Sequence, residues 1–256
     1  HIAGLQDRSS KDSILRLKDA LKNPQSHAHG TEGKKPAPAR SFGSNTPRGQ
    51  YINSIKKALK YIAEGDIYQI NLSHRLKIPW KGDAFSLFAS LAGEKPSPFS
   101  SFMDFGEFQI VSNSPERFLK ITGDTIETSP IKGTRPRGKT PEEDKKMMAE
   151  LKMSKKERAE HIMIVDLERN DLGRVSVAGT VQVAGFETIK TFPGLHHLVS
   201  TVRGKVRPGL SSIDCLAAAF PGGSVTGAPK IRAIEIIDEL EVSPRELYTG
   251  AIGWID

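Results

Sequence analysis

The stretch FSSFMDFGEFQIVSNSPERFLKITGDTIET, residues 99–128, decides the fold class. It breaks into short runs, FSSFMDF, FQIVSNS, RFLKIT and TIETS (ending at Ser129), with Gly106 and Gly123-Asp124 between them. Runs of this length, rich in aromatic and β-branched residues and closed by turn residues, read as strands, and a Gly-Asp pair between two of them reads as a hairpin. The stretch therefore predicts an antiparallel meander.

Outward from it the pattern alternates between helix and strand. Towards the N-terminus, Ile67–Ile78 (IYQINLSHRLKI) has the spacing of a half-buried strand. Before it, Ile52, Ile55, Leu59 and Ile62 recur as an amphipathic helix over Tyr51–Ala63, stopped by Gly65. Residues 23–49 are rich in Pro, Gly, Ser, His and Lys and read as a linker, preceded by a helical pattern over 11–22. Towards the C-terminus, 141–166 is helical with acidic residues in its first turn, where the helix dipole favours them. Short β-type runs return after Gly173, a helix follows Pro229, and YTGAIGWI (248–255) reads as a strand. Mixed blocks of this kind predict an α+β fold with largely antiparallel sheet. Two regions are expected: 1–49, a helix and flexible basic linker, and 50–256, the main folded domain. The end of the chain at Asp256, inside an apparent strand, predicts a domain truncated at its C-terminus.

Bulk properties exclude several classes of function. No apolar run approaches the roughly 18 residues of a membrane span, and no signal peptide stands at the N-terminus. The single cysteine, Cys215, lies in an apolar run, which predicts a buried core thiol and suits a reducing, cytoplasmic setting. Of the net charge of +7, nearly all falls in residues 31–60, where seven Lys and Arg face Glu32 alone. No zinc-finger spacing or aromatic RNA-binding signature accompanies it, so no nucleic-acid partner is expected. A non-catalytic basic binding module remains the competing class.

Four segments carry chemistry. In SNSPERFL (112–119), Glu116 heads an apolar run, where a carboxyl has a raised pKa if walled by apolar groups and is a plain edge salt bridge if not. In ETSPIKGTRPRG (127–138), Lys132 stands between two prolines that forbid a long helix; it is either a loop cation or a fixed amine. In KKERAEHIMIVDLERND (155–171), Glu157 and Glu160 share a helix face, as solvated charges or as hard oxygen donors. FPGGSVTGAPK (220–230) has the glycine spacing of a phosphate loop but Ala228-Pro229-Lys230 where Gly-Lys-Ser/Thr is required, which rejects that motif. His196-His197 has no third ligand at metal spacing and reads equally as catalytic or structural.

In their order, GDIYQINLS (65–73), SPERFL (114–119), ETSPIKGTRPRG, EHIMIVDLERNDLGRV (160–175), HHLVSTV (196–202), FPGGSVTGAPK and YTGAIG (248–253) resemble the chorismate-utilising enzymes over about three-quarters of the chain. The family fold, two packed antiparallel β-sheets flanked by helices, is then the expectation. Family members that add water to chorismate have a lysine base where this chain has Gln69, and Lys132 stands where the anthranilate branch usually has Ala. The resemblance thus implies the aminodeoxychorismate branch, with anthranilate formation as the alternative. It implies Lys132 as nucleophile and Glu116 as general acid. Gln69, Gly133, Thr134, His197, Ser224, Gly227 and Tyr248 are the expected substrate-binding residues. Mg²⁺ is the expected cofactor, held by Glu160 and by Glu157 directly or through water. The implied partners are chorismate and a separate glutaminase subunit supplying ammonia. Family members also continue past YTGAIG into residues that complete these sites.

Overall fold

The computed structural model describes residues 42–94 and 96–256. The helix expected over 11–22 and most of the linker lie outside the described residues. The linker expected through residue 49 ends earlier: strand β1 (Gly43–Ser44) and helix α1 (Arg48–Ala63) already occupy 42–49. Strands β2 (Gln69–Ile70) and β3 (Leu76–Lys77) follow, and β3 pairs antiparallel with β1. The continuous strand expected over 67–78 is thus two short ones. Between them the chain bonds to side chains instead of a ladder: Ser73 N donates to Glu241 Oε1 at 2.8 Å and Arg75 N to Asn45 Oδ1 at 2.9 Å.

Helix α1 buries a different face from the one its isoleucines predict. Ile55, Leu59 and Ile62 are exposed, while Ala58 is buried. The reason is what packs there. Ala58 clusters with Ile67, Ala233, Ile236 and Leu240, and polar anchors fix the same side: Ser54 Oγ donates to Leu240 O at 3.1 Å and Tyr61 Oη to Glu239 Oε2 at 2.7 Å.

The described residues divide into two compact units, Ile78–Pro115 and Phe42–Lys77 with Glu116–Asp256. The first holds helix α2 (Ala84–Glu94) and the hairpin of β4 (Phe99–Asp104) and β5 (Gln109–Ser114). Its core is aromatic: Phe102 meets Phe85 edge-on at 5.4 Å and lies 6.0 Å from Phe88. Helix α2 went unread in the sequence although Asp83 caps it, accepting from Ser86 N at 2.7 Å.

The second unit opens with the hairpin of β6 (Arg117–Thr122) and β7 (Thr125–Ser129), turned at Gly123 with φ +59°. The expected meander is therefore two hairpins in two units, β5 pairing with β4 and β6 with β7, with Pro115 at the break. Strand β8 (Ile131–Pro136) follows, then helices α3 (Pro141–Met153) and α4 (Lys155–Gly173). The sequence reads these as one helix. Ser154 separates them, in extended conformation, and its hydroxyl caps α4 by accepting from Glu157 N. Strands β9 (Gln182–Thr191) and β10 (Leu195–Lys205), helix α5 (Ser212–Ala219), a 3₁₀ turn at Gly223–Val225, strand β11 (Gly227–Ala228) and helix α6 (Lys230–Leu240) complete the unit.

Strand β10 is the spine of a five-stranded antiparallel sheet. Its first half pairs with β8 and its second with β7, along one edge, and β9 runs along the other. Pro130, which has no N–H, divides β7 from β8, and Ser200 N reaches its carbonyl at 3.3 Å. Helix α4 packs on this sheet through a cluster of Ile126, Val165, Leu172, Val175, Val202 and Cys215. Cys215 is the expected core thiol. The strand expected over 248–255 has no ladder partner among the described residues, and its Tyr248, Trp254 and Ile255 are exposed. Among the described residues no helix is long and apolar enough to cross a membrane.

Candidate active site

The chain geometry that splits β7 from β8 also places Lys132. It is the second residue of β8, opposite Leu198 of β10, beside a register shift between His197 and Leu198. Its Nζ donates to the carbonyl of Ser224, in the 3₁₀ turn, at 3.3 Å. Glu116, just ahead of β6, meets the same turn: the Ser224 hydroxyl and the Ile131 N–H both donate to its carboxyl. Burial pushes the Glu116 pKa above the ordinary carboxylate value, against the opposing pull of Ser224, Ile131 and the Lys132 ammonium. Three segments far apart in sequence thus bring Lys132, Glu116 and Ser224 to one point.

The strand partner of Lys132 supplies a further group. Thr134 Oγ1 and His197 Nδ1 are 2.9 Å apart across the sheet, and the Gly133 carbonyl also bonds the ring. Burial lowers the His197 pKa, which keeps it neutral. His196, its neighbour, is structural: Thr191 Oγ1 lies 2.9 Å from its Nδ1 and Asp144 Oδ1 2.9 Å from its Nε2. The structure separates two histidines that the sequence leaves equivalent.

Gly227 and Gln69 meet in the short ladder of β11 and β2, where Gly227 pairs with Ile70 and Ala228 with Gln69. A Cβ on Gly227, at φ +150°, would lie 2.3 Å from the Gln69 carbonyl, so only glycine fits. The side-chain Oε1 of Gln69 is buried without a hydrogen-bond partner. Tyr248 does not join this group. It lines a separate cavity of ≈ 220 Å³ with Ser73, Arg75, Glu241 and Arg245.

Glu157 and Glu160 both lie at the start of α4 but differ in setting. Glu157 rests against Gly133, where a Cβ would come within 2.6 Å of its Oε2. Its Oε1 accepts from Arg135 at 2.7 Å, and its Oε2 is buried without a hydrogen-bond partner. Glu160 is half-exposed, with Lys156 at 3.8 Å. Among the described residues no three His, Cys, Asp or Glu side chains converge as a metal cluster.

The sequence missed a buried charged group beside the site. On α4, Glu168 and Asp171 are 2% and 3% exposed. Lys230, the first residue of α6, bonds Asp171 Oδ2 and donates to Ala219 O at 2.9 Å. Burial first, and then Asp171, push the Glu168 pKa up to about 7, and burial also raises that of Asp171. His161, on the same helix, was also missed; it is buried with Nε2 2.6 Å from Ser200 Oγ. The signal was available in both cases: charged and titratable residues on the apolar side of a helix.

A family model described as chorismate binding enzyme matches residues 3–256. The chain belongs to this family. It is 46% identical over 216 residues to an anthranilate synthase component 1 of Methanothermobacter thermautotrophicus, covering 84% of this chain and 47% of that one. It is 45% identical over 220 residues to an aminodeoxychorismate synthase component 1 of Bacillus subtilis, covering 86% and 47%. Among solved structures, anthranilate synthase component I from Streptococcus pneumoniae superposes with a TM-score of 0.74 at 33% identity, over 93% of this chain and 52% of that one. The chain spans about half the length of the curated relatives it matches. The fold is that of the chorismate-utilising enzymes, antiparallel sheets flanked by helices.

Proposed function

We propose that this chain carries the chorismate-converting site of an aminodeoxychorismate synthase component I, which joins chorismate and ammonia to give 4-amino-4-deoxychorismate. The observation that carries the reading is the meeting of Lys132, Glu116 and Ser224. The Lys132 amine, as free base, attacks C2 of chorismate while protonated Glu116 gives its proton to the C4 hydroxyl, which leaves as water. Ammonia then bonds at C4 and the C2–N bond to Lys132 breaks, returning the amine. The Glu116 carboxylate takes up the proton lost by the incoming nitrogen. A raised Glu116 pKa supports its role as acid, since the protonated form must persist near neutral pH.

His197, neutral and bonded to Thr134, orients the ring carboxylate together with the Gly133 and Gly227 backbone. The unpaired Gln69 oxygen, where a water-adding enzyme would need a base, offers an acceptor to ammonia. Glu157 and Glu160 fit a Mg²⁺ ion, because the unpartnered Glu157 Oε2 is an open hard donor and the second carboxylate shares its helix face. Bound there, the ion neutralises a substrate carboxylate. Ammonia comes from a separate glutaminase component, a role Cys215 cannot fill because it is fully buried.

Anthranilate synthesis is the second reading, favoured by the equally similar relatives of that name. The full-length protein, given chorismate, Mg²⁺ and ammonia, is expected to make aminodeoxychorismate, and Lys132→Ala to lose at least about 100-fold in kcat. Fluorescent anthranilate as the main product overturns the branch assignment. An undiminished Lys132→Ala overturns the nucleophile.

A further inference from the structure

Glu168 lies outside every role assigned above, yet it touches the turn on which the site depends. Its Oε1 accepts from Gly223 N at 3.1 Å, and its Oε2 is buried without a hydrogen-bond partner. Gly223 sits so close to α4 that a Cβ there would lie 2.5 Å from Leu167 Cδ2. The next residue is Ser224, whose carbonyl receives Lys132 and whose hydroxyl serves Glu116. One peptide unit therefore separates the Glu168 hydrogen bond from Ser224, which contacts both members of the reacting pair. A surface glutamate would be exchangeable here, whereas this one is 2% exposed.

We propose that Glu168 is a positioning residue for the reaction: through the Gly223 N–H it holds the Gly223–Val225 turn, and with it Ser224, between Lys132 and Glu116. The inference rests on reading Lys132 and Glu116 as the reacting pair. It has an electrostatic consequence as well. The charged groups facing Glu168 are Asp171 on its own helix, Lys230 on α6 and Glu116 ahead of β6. Lys230 is committed to Asp171. An ionised Glu116 adds to the rise of the Glu168 pKa, so the two carboxyls are coupled across the turn.

Two variants of the full-length protein separate these effects. Glu168→Gln keeps an acceptor for Gly223 and removes the charge; Glu168→Ala removes both. Amide hydrogen exchange over residues 221–226 needs no substrate. Its protection is expected to fall about tenfold or more in Glu168→Ala and to change less than about threefold in Glu168→Gln. In turnover with chorismate and ammonia, Glu168→Ala is expected to lose about tenfold in kcat with KM changed less than about threefold. Glu168→Gln is expected to keep most of its kcat, because the acceptor for Gly223 N is retained.

Wild-type protection and kcat in Glu168→Ala overturn the inference, as do equal losses in both variants, which mark a merely structural residue. Should the alanine variant fail to fold, a loss of about tenfold in kcat or in protection over residues 221–226 in Glu168→Gln overturns it. The two failures are distinguishable. Undiminished turnover in Lys132→Ala sinks the site assignment, whereas unchanged exchange at Gly223 in Glu168→Ala sinks the role of Glu168 even if Lys132 proves essential.

Discussion

Replacing Lys230 by Met removes the one cation bonded to a buried acidic pair. The Lys230 and Asp171 side chains are 11% and 4% exposed, and the ammonium bonds both Asp171 and the Ala219 carbonyl. Removing one partner of a buried ion pair costs about 3–5 kcal/mol, because the remaining charge stays desolvated and unpaired. Here Glu168, also buried on the same helix, adds a second acid whose ionisation Lys230 favours. Lys230→Met is therefore expected to cost about 4 kcal/mol at pH 8.

The cost depends on pH in a defined direction. An acid whose folded pKa lies above its unfolded value makes the folded state bind more protons, so stability falls as pH rises through that window. For Glu168 the window runs from its ordinary 4.5 to about 7 in the wild type. Loss of Lys230 raises both acids further. At pH 5 the folded variant holds them neutral, and the cost shrinks to about 1–2 kcal/mol, that of the lost hydrogen bonds. Urea unfolding of wild type and variant at pH 8 and pH 5 measures both differences. Adding Asp171→Leu to Lys230→Met is expected to recover at least about half of the loss. A cost below about 1 kcal/mol at pH 8, or one equal at both pH values, refutes the view that this pair is a buried charge system.

Three further outcomes follow from the geometry. Gly227→Ala, forced to φ +150° with its Cβ 2.3 Å from the Gln69 carbonyl, is expected to lower the thermal midpoint by about 6–12 °C, from a cost of about 3 kcal/mol. Gly173→Ala, whose Cβ meets nothing within 4 Å, should leave the midpoint unchanged or raise it slightly. Ser224→Ala, by removing a hydrogen bond to the ionised form, is expected to raise the Glu116 pKa further. Titration of the Glu116 carboxyl in wild type and variant, followed by carbon NMR, reads the direction, and an unchanged or lowered value contradicts the hydrogen bond.

What the sequence revealed depended on whether the signal was local. The hairpin at Gly123, the acidic first turn of α3 and the helix after Pro229 are set by neighbouring residues, and they fold as read. Helix α5 shows the same kind of signal left unread: Ser211 and Asp214 form a capping box, a pattern present in the sequence itself. Which face of α1 is buried was not local. Its isoleucine stripe is the more apolar, but Ser54 and Tyr61 bond to residues some 180 positions away, and that contact turns Ala58 inward. The strand expected at 248–255 fails for the same reason, since a ladder requires a partner that alternation cannot supply.

The site divides along the same line. Residue types marked Lys132 and Glu116 as candidates, but their significance lies in a third residue, Ser224, that touches both from 92 positions beyond Lys132. Glu168 went unread although it falls on the helix face of Ile164, Val165 and Leu172; that spacing marks it as buried, and the packing adds that its carboxyl accepts from Gly223. Tyr248, expected from its motif to bind substrate, lines a cavity with Ser73, Arg75, Glu241 and Arg245. Under the proposed roles of Lys132 and Glu116, the buried Glu168, bonded to the turn that carries Ser224, ties the charge system of Glu168, Asp171 and Lys230 to the site as well as to the stability of the fold.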